Sequence, residues 1–263
     1  MNFREFVEAQ ATDIVKLKGQ APFMSRRQQG VLSPNDPLHR FAPEESNVSD
    51  LNIVWITGMW SGKFPGTGNY GPLLKSLGYN VQTVGTKASV LAASAGRLLH
   101  GMGAPQFLKN MGQAHIERNK DIYRDKVDQT PDIIIGSSQG GAVALSLANE
   151  LPQVPMLLIC PAWRVFHVQP THINPDSIIV HGLYDREVPI GDSEYLAKKF
   201  NIPLFVTEDS HIIKKGFWQI IKALKIISGK VAKQKTAQTA QTQLVKTQAL
   251  TQPQQGWQGV TGL

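Results

Sequence analysis

Cysteine is nearly absent: the 263 residues include one, Cys160, inside the apolar run "PMLLIC". A lone cysteine cannot close an internal disulfide, which excludes a disulfide-stapled scaffold and fits a reducing compartment. Free cysteines favour cores, so Cys160 reads as a buried strand residue. Long hydrophobic runs are missing too, and none approaches the roughly 20 residues that span a bilayer. The start, "MNFREFVEAQ", has no apolar stretch of the kind a secretory signal carries. The expectation is a cytoplasmic protein without a membrane span.

Acidic residues are absent from the C-terminal end. From Lys230 onward the chain has Lys230, Lys233, Lys235 and Lys246 and no acid, which leaves only +3 of the formal +7 for the rest. Aromatics are scarce there as well, with Trp257 alone. Nucleic-acid binding by such a tail would need aromatic or arginine partners beside the lysines. No specific nucleic-acid partner is therefore expected, and the lysines read as solubilising.

What is present falls into three zones. Residues 1–50 open with Asn2 and Glu5 spaced as a capping box, and Phe3, Phe6, Val7, Ile14 and Leu17 share one helical face. Turn-rich stretches, "SPNDP" and "FAPEESNVSD", follow. The helix is expected to pack on the main domain, with a protein partner docking through residues 1–18 as the alternative. Residues 51–229 alternate strand-like and helix-like segments. The strands read "LNIVWITG", "NVQTVGT", "DIIIGSS", "VPMLLICPA", "SIIVHGL" and "PLFVTED". Strands that are apolar throughout and separated by helices predict an α/β three-layer sandwich, with a mostly parallel sheet of about six strands covered on both faces. Function in such sheets gathers at the carboxyl ends of the strands. Residues 230–263 form a Gln/Thr-rich low-complexity tail with too few large apolar residues for a core of its own. Disorder in isolation is expected, with docking on a partner as its use.

"GSSQG", Gly136 to Gly140, fits G-x-S-x-G between an apolar strand and an alanine-rich segment. A sharp strand-to-helix corner exposes the central serine, and the glycines remove side chains that would clash there. Ser138 is the candidate nucleophile; a purely structural turn remains the alternative at this point. Ser137 sits in the wrong slot. The backbone N–H of Gln139 would face a developing oxyanion. A serine hydroxyl needs a base, and the base needs an orienting acid. Asp185 in "HGLYDREVP" and His211 in "EDSHII" each follow a later strand, in the order Ser138, Asp185, His211. Asp209 is the alternative acid, read instead as a support for the histidine loop. His181 lies within a strand and reads as packed or hydrogen-bonded. The second oxyanion donor is expected in the loop after the first strand, at the N–H of Met59, with Trp60 second. That loop also invites a phosphate-binding reading. However, only three residues separate Gly58 from Gly62, and Phe64 stands where a Mg²⁺-binding hydroxyl belongs.

With "GSSQGG", "HGLYDREVP" and "DSH" in place, the chain resembles the α/β-hydrolase family over about residues 50–229, in a form similar to small bacterial carboxylesterases and dienelactone-hydrolase-like proteins. The resemblance implies a serine esterase working on a small-molecule ester through an acyl-enzyme on Ser138, with no metal or organic cofactor. The family's first two strands are not evident, so a minimal sheet is expected. "WRVFHVQPTHINPD" is too short for a lid domain, which predicts an open, shallow site lined by Met59, Trp60, Trp163, Val188 and Phe166 and suited to short acyl groups. The competing class is a hydrolase-fold binding or assembly protein, such as a component of a virion, with the tail as docking segment. If the tail only mediates association, cutting the chain at about Lys230 leaves ester hydrolysis intact.

Overall fold

The structure is a computed structural model and describes residues 46–58, 71–87 and 106–251. The expected N-terminal helix, Met59, Trp60 and the segment from 252 lie outside the described residues.

After a short 3-10 turn at Ser46–Asp50, the elements run β1 (Ile53–Ile56), α1 (Gly71–Ser76), β2 (Val81–Val84), α2 (Gln106–Arg124), β3 (Ile133–Ser137) and α3 (Gln139–Leu147). They continue with β4 (Met156–Ile159), β5 (Ile178–Gly182), α4 (Ile190–Phe200), β6 (Leu204–Thr207) and α5 (Phe217–Thr251). The six strands form one sheet in the order β2-β1-β3-β4-β5-β6, and every pairing is parallel. This is the minimal three-layer architecture expected from the sequence.

Strand alternation explains the two helical layers. Side chains on a strand point to opposite faces in turn. Val54, Ile56, Ile134, Met156, Leu158 and Ile179 face α2, α3 and α4. Their neighbours Ile53, Trp55, Ile133, Ile135, Leu157 and Val180 face α1 and α5. Both faces are apolar because both are covered, which is why these strands carry no polar alternation.

The strand order places the site. The chain moves from β1 outward to β2, then returns on the other side of β1 to β3. Beyond the carboxyl ends of β1 and β3 lies the crevice where such sheets bind ligands. Ser138 follows β3 there, and Gly58 follows β1.

The C-terminal region differs from the expected disorder. α5 continues without a break from Phe217 through Lys230 to Thr251. Alanine, glutamine and lysine are good helix formers, and neither glycine nor proline interrupts residues 230–252. Thr236, Thr239, Thr242 and Thr247 each donate a hydroxyl hydrogen bond to the carbonyl four residues earlier. The first part of this stretch belongs to the domain: Val231 and Ala232 are buried. Lys230 pairs with Asp176 at 2.6 Å, and Lys235 with Asp132 at 2.9 Å. Residues 233–247 are exposed.

The domain therefore ends several residues past Lys230. A chain stopped after Thr236 should melt within about 0.5 kcal/mol of the full chain. One stopped at Gly229 should lose about 2–3 kcal/mol, chiefly the burial of Val231 and Ala232, since exposed ion pairs contribute little. Thermal melts of the two truncations check this, and equal losses would show that the helix has no such boundary.

Candidate functional site

Ser138 lies between the last residue of β3 and the first of α3, with φ 54° and ψ −119°. A non-glycine residue in this region is strained by about 1–3 kcal/mol and persists only where its surroundings enforce it. Here the backbone enforces it. The Ser138 N–H donates to Ile159 O at 2.9 Å, and its carbonyl accepts from Gly141, Ala142 and Ala162. The corner also needs bare Cα atoms. A Cβ on Gly140 would run into the Ile56 carbonyl at the end of β1, and one on Gly141 would stand 2.8 Å from Pro161 Cα. The N–H of Gln139, the first residue of α3, has no acceptor within the helix.

The structure brings Ser138, His211 and Asp185 together from three separate strand ends. His211 Nε2 lies 2.8 Å from Ser138 Oγ, and Nδ1 lies 2.7 Å from Asp185 Oδ2. An ionised carboxylate only accepts, so Nδ1 carries the ring proton and a neutral Nε2 is left to accept the serine hydroxyl. Asp185 is itself well held, since Oδ1 accepts the N–H groups of Glu187 and Val188 at 2.8 and 2.9 Å. Burial alone would raise its carboxyl. Contacts with His181 and His211, the charge His211 carries when it is protonated and the Val188 N–H outweigh burial and keep it well below the usual carboxylate range.

Asp209 does not reach His211 as its acid. Its carboxylate accepts the N–H groups of Lys214, Lys215 and Gly216 at 3.0, 2.9 and 2.7 Å, closing the loop that carries His211. Asp209→Ala should loosen that loop and lower kcat on the order of 10²-fold, the usual cost of a misplacement near 1 Å, with KM little changed. An unchanged kcat would remove Asp209 from the positioning of His211.

Three residues expected in the site walls are buried. Trp163 and Val188 are 3% and 2% exposed, and Phe166 is 1% exposed, all within the layer under α2, α3 and α4. Trp163 stacks on Tyr195 and donates its indole N–H to Asp192 O, while Phe166 stacks on His115. These contacts turn the aromatic rings inward. Next to Asp185 in the chain, Leu183 and Tyr184 are exposed, at 47% and 62%. Between β4 and β5 no regular element intervenes, in line with the missing lid insertion at that place.

Ser137 does more than its place in the pentapeptide indicates. Its Oγ accepts the Gly58 N–H at 3.1 Å and the Trp55 indole N–H at 3.3 Å. It thus fastens the start of the loop after β1 to the strand that carries Ser138. The Gln139 side chain, fully buried, donates to Lys87 O at 2.8 Å and fixes the loop after β2 in the same way. No local pattern marks either tie, because both partners are remote in sequence.

Three solved structures share this outline at low identity. Est1E from Butyrivibrio proteoclasticus is 15% identical over 72% of this chain and 91% of its own, with a TM-score of 0.48. The esterase domain of a Rhodothermus marinus protein is 14% identical over 73% and 90%, with a TM-score of 0.44. A structure assigned to the alpha/beta hydrolase superfamily, from Xanthomonas campestris pv. campestris, is 18% identical over 66% and 96%, again at 0.44. No family model and no curated protein matches the chain.

Proposed function

We propose that this chain is a serine hydrolase that cleaves an ester-like bond through an acyl-enzyme on Ser138. The observation that supports the reading is the hydrogen-bonded series Ser138–His211–Asp185 on a strained serine at a topological switch point. In the first half-reaction Ser138 Oγ attacks the acyl carbon while its proton passes to His211 Nε2. The carbonyl oxygen takes up negative charge facing the Gln139 N–H, with the Met59 N–H, one residue beyond the fastened Gly58, as second donor. Collapse expels the alkoxide, which takes the proton from His211. Water then repeats the sequence on the acyl-enzyme, with His211 again as base, and frees the acid and Ser138. Asp185 holds His211 in the required tautomer and stabilises the imidazolium formed in each step.

A fluorophosphonate probe tests this most directly. Wild type should be labelled covalently and Ser138→Ala should not. A wild-type chain that takes no label would sink the hydrolase reading and leave a binding or assembly role. One feature favours docking as an additional use: the half of α5 beyond Thr236 stands clear of the domain, with Leu244 and Val245 59% and 58% exposed. Protein partners through that segment or through residues 1–18 belong to this proposal, as does a small-molecule ester as substrate. Among the described residues no helix is long and apolar enough to cross a membrane.

A further inference from the structure

His181 is fully buried on β5, one strand-end away from the reacting atoms, and the mechanism above gives it no part. Its surroundings fix its chemistry. Nε2 lies 3.0 Å from Val188 O and 3.3 Å from Asp185 Oδ2. Neither oxygen can donate, so Nε2 carries a proton, which it donates to Val188 O with Asp185 Oδ2 beside it. Nδ1 lies 2.7 Å from the hydroxyl of Ser193 in α4, itself fully buried and able to donate to it. The ring therefore ties three segments together: α4, the turn around Val188, and the Asp185 carboxylate.

We propose that His181 is a positioning residue for the acid of the site: its Nε2–H fixes the Val188 turn, whose own N–H holds Asp185 Oδ1, and it stands close enough to Oδ2 to draw on the charge that faces His211. The inference rests on the hydrolase reading for its meaning and on geometry for its support. Both imidazoles address the same oxygen, His211 at 2.7 Å and His181 at 3.3 Å. Oδ1 is already filled by two backbone N–H groups. With His181 in place the Val188 turn is pinned and the charge on Oδ2 has a second neighbour; without it, the turn loosens and His211 alone faces that charge. The other groups near the ring leave this assignment standing. Cys160, at the end of β4, has a ligand atom within 4.8 Å of those of His181 and Asp185. Burial pushes its thiol well above the usual range, so it stays neutral. Asp192, beside Ser193, is paired with Arg164 at 3.0 Å.

The test compares His181→Phe with His181→Gln, whose amide nitrogen reaches about as far as Nε2 and restores a donor. In the full chain, His181→Phe should lower kcat about tenfold or more at unchanged KM, as expected when the turn that positions the acid is no longer pinned. It should also move the acid limb of the kcat/KM profile to higher pH, because the Asp185 carboxylate then has one imidazole neighbour fewer. The His211 Nδ1 proton resonance should be displaced, and His181→Gln should return both the limb and the resonance toward wild type. A structural role alone would not produce that pairing. An unmoved limb and resonance in His181→Phe, or a glutamine variant that behaves as the phenylalanine one does, overturns the proposal. Should His181→Phe not fold, Ser193→Ala removes the hydroxyl that sets the tautomer and should move both readouts less far in the same direction; no movement there also overturns it. The proton resonance needs no turnover, so it separates this inference from the hydrolase reading, whose failure shows in the unlabelled wild type.

Discussion

Replacing Ser138 by alanine should lower ester hydrolysis by about 10⁴- to 10⁶-fold, and His211→Ala should cost about as much, while the double variant is no worse than either. The reason lies in how the groups share the work. Ser138 Oγ and His211 Nε2, 2.8 Å apart, act on one proton, so removing either partner removes the same step. Independent contributions would multiply instead. Steady-state hydrolysis of a p-nitrophenyl ester by the three variants decides between these. A double variant much slower than both singles would mean the two side chains do not form a unit. A serine that loses nothing on replacement would return Ser138 to a structural corner. The same residue should show its cost in stability. At φ 54° a side chain is strained, so Ser138→Gly should stabilise the fold by about 1 kcal/mol or more while being equally inactive. Such a trade is expected where a site is held in an unfavourable conformation.

The second large effect is on the fold. Alanine normally stabilises a helix by about 1 kcal/mol relative to glycine. At Gly140 the sign should reverse. Gly140 lies in the first turn of α3, which rests on the end of β1. A Cβ there would collide with the Ile56 carbonyl oxygen and stand 2.6 Å from the Ile56 carbonyl carbon and 2.7 Å from Thr57 O. These are backbone atoms, and Thr57 is pinned by its own N–H to Val84 O at 3.0 Å. Neither side can yield without breaking strand contacts, so Gly140→Ala should cost about 3 kcal/mol or more. For a domain of this size that is a fall in Tm of about 6–12 °C. Gly85→Ala, where nothing lies within 4 Å, is the control and should stay within about 0.5 kcal/mol. Equal melting of the two variants would show that α3 does not sit on β1 as described.

Several features were legible before any coordinates because they are local. Apolar strands separated by helical stretches need a sheet covered on both faces, since a strand with two apolar sides must bury both. The glycines around Ser138 are a steric requirement of the corner itself, and the sequence Ser138, Asp185, His211 follows from the order of the strands that carry them. Glutamine, threonine and alanine after Lys230 misled in the opposite way. Low hydrophobicity argued for disorder, but the helix had already been nucleated on the sheet by the apolar turns before it, and extending a helix is far cheaper than starting one.

The sequence by itself therefore determined the layers, the serine corner and the three groups that meet there, because sterics over a few residues and the direction of parallel strands are enough to specify them. Only the tertiary structure decided which remote groups touch. It turned Trp163 and Val188 into the core, set Ser137 against Gly58, and placed His181 beside Asp185. Each of those outcomes depends on which strand ends become neighbours and on how closely the helices approach them. The packing of the whole sheet fixes that, and no single segment encodes it.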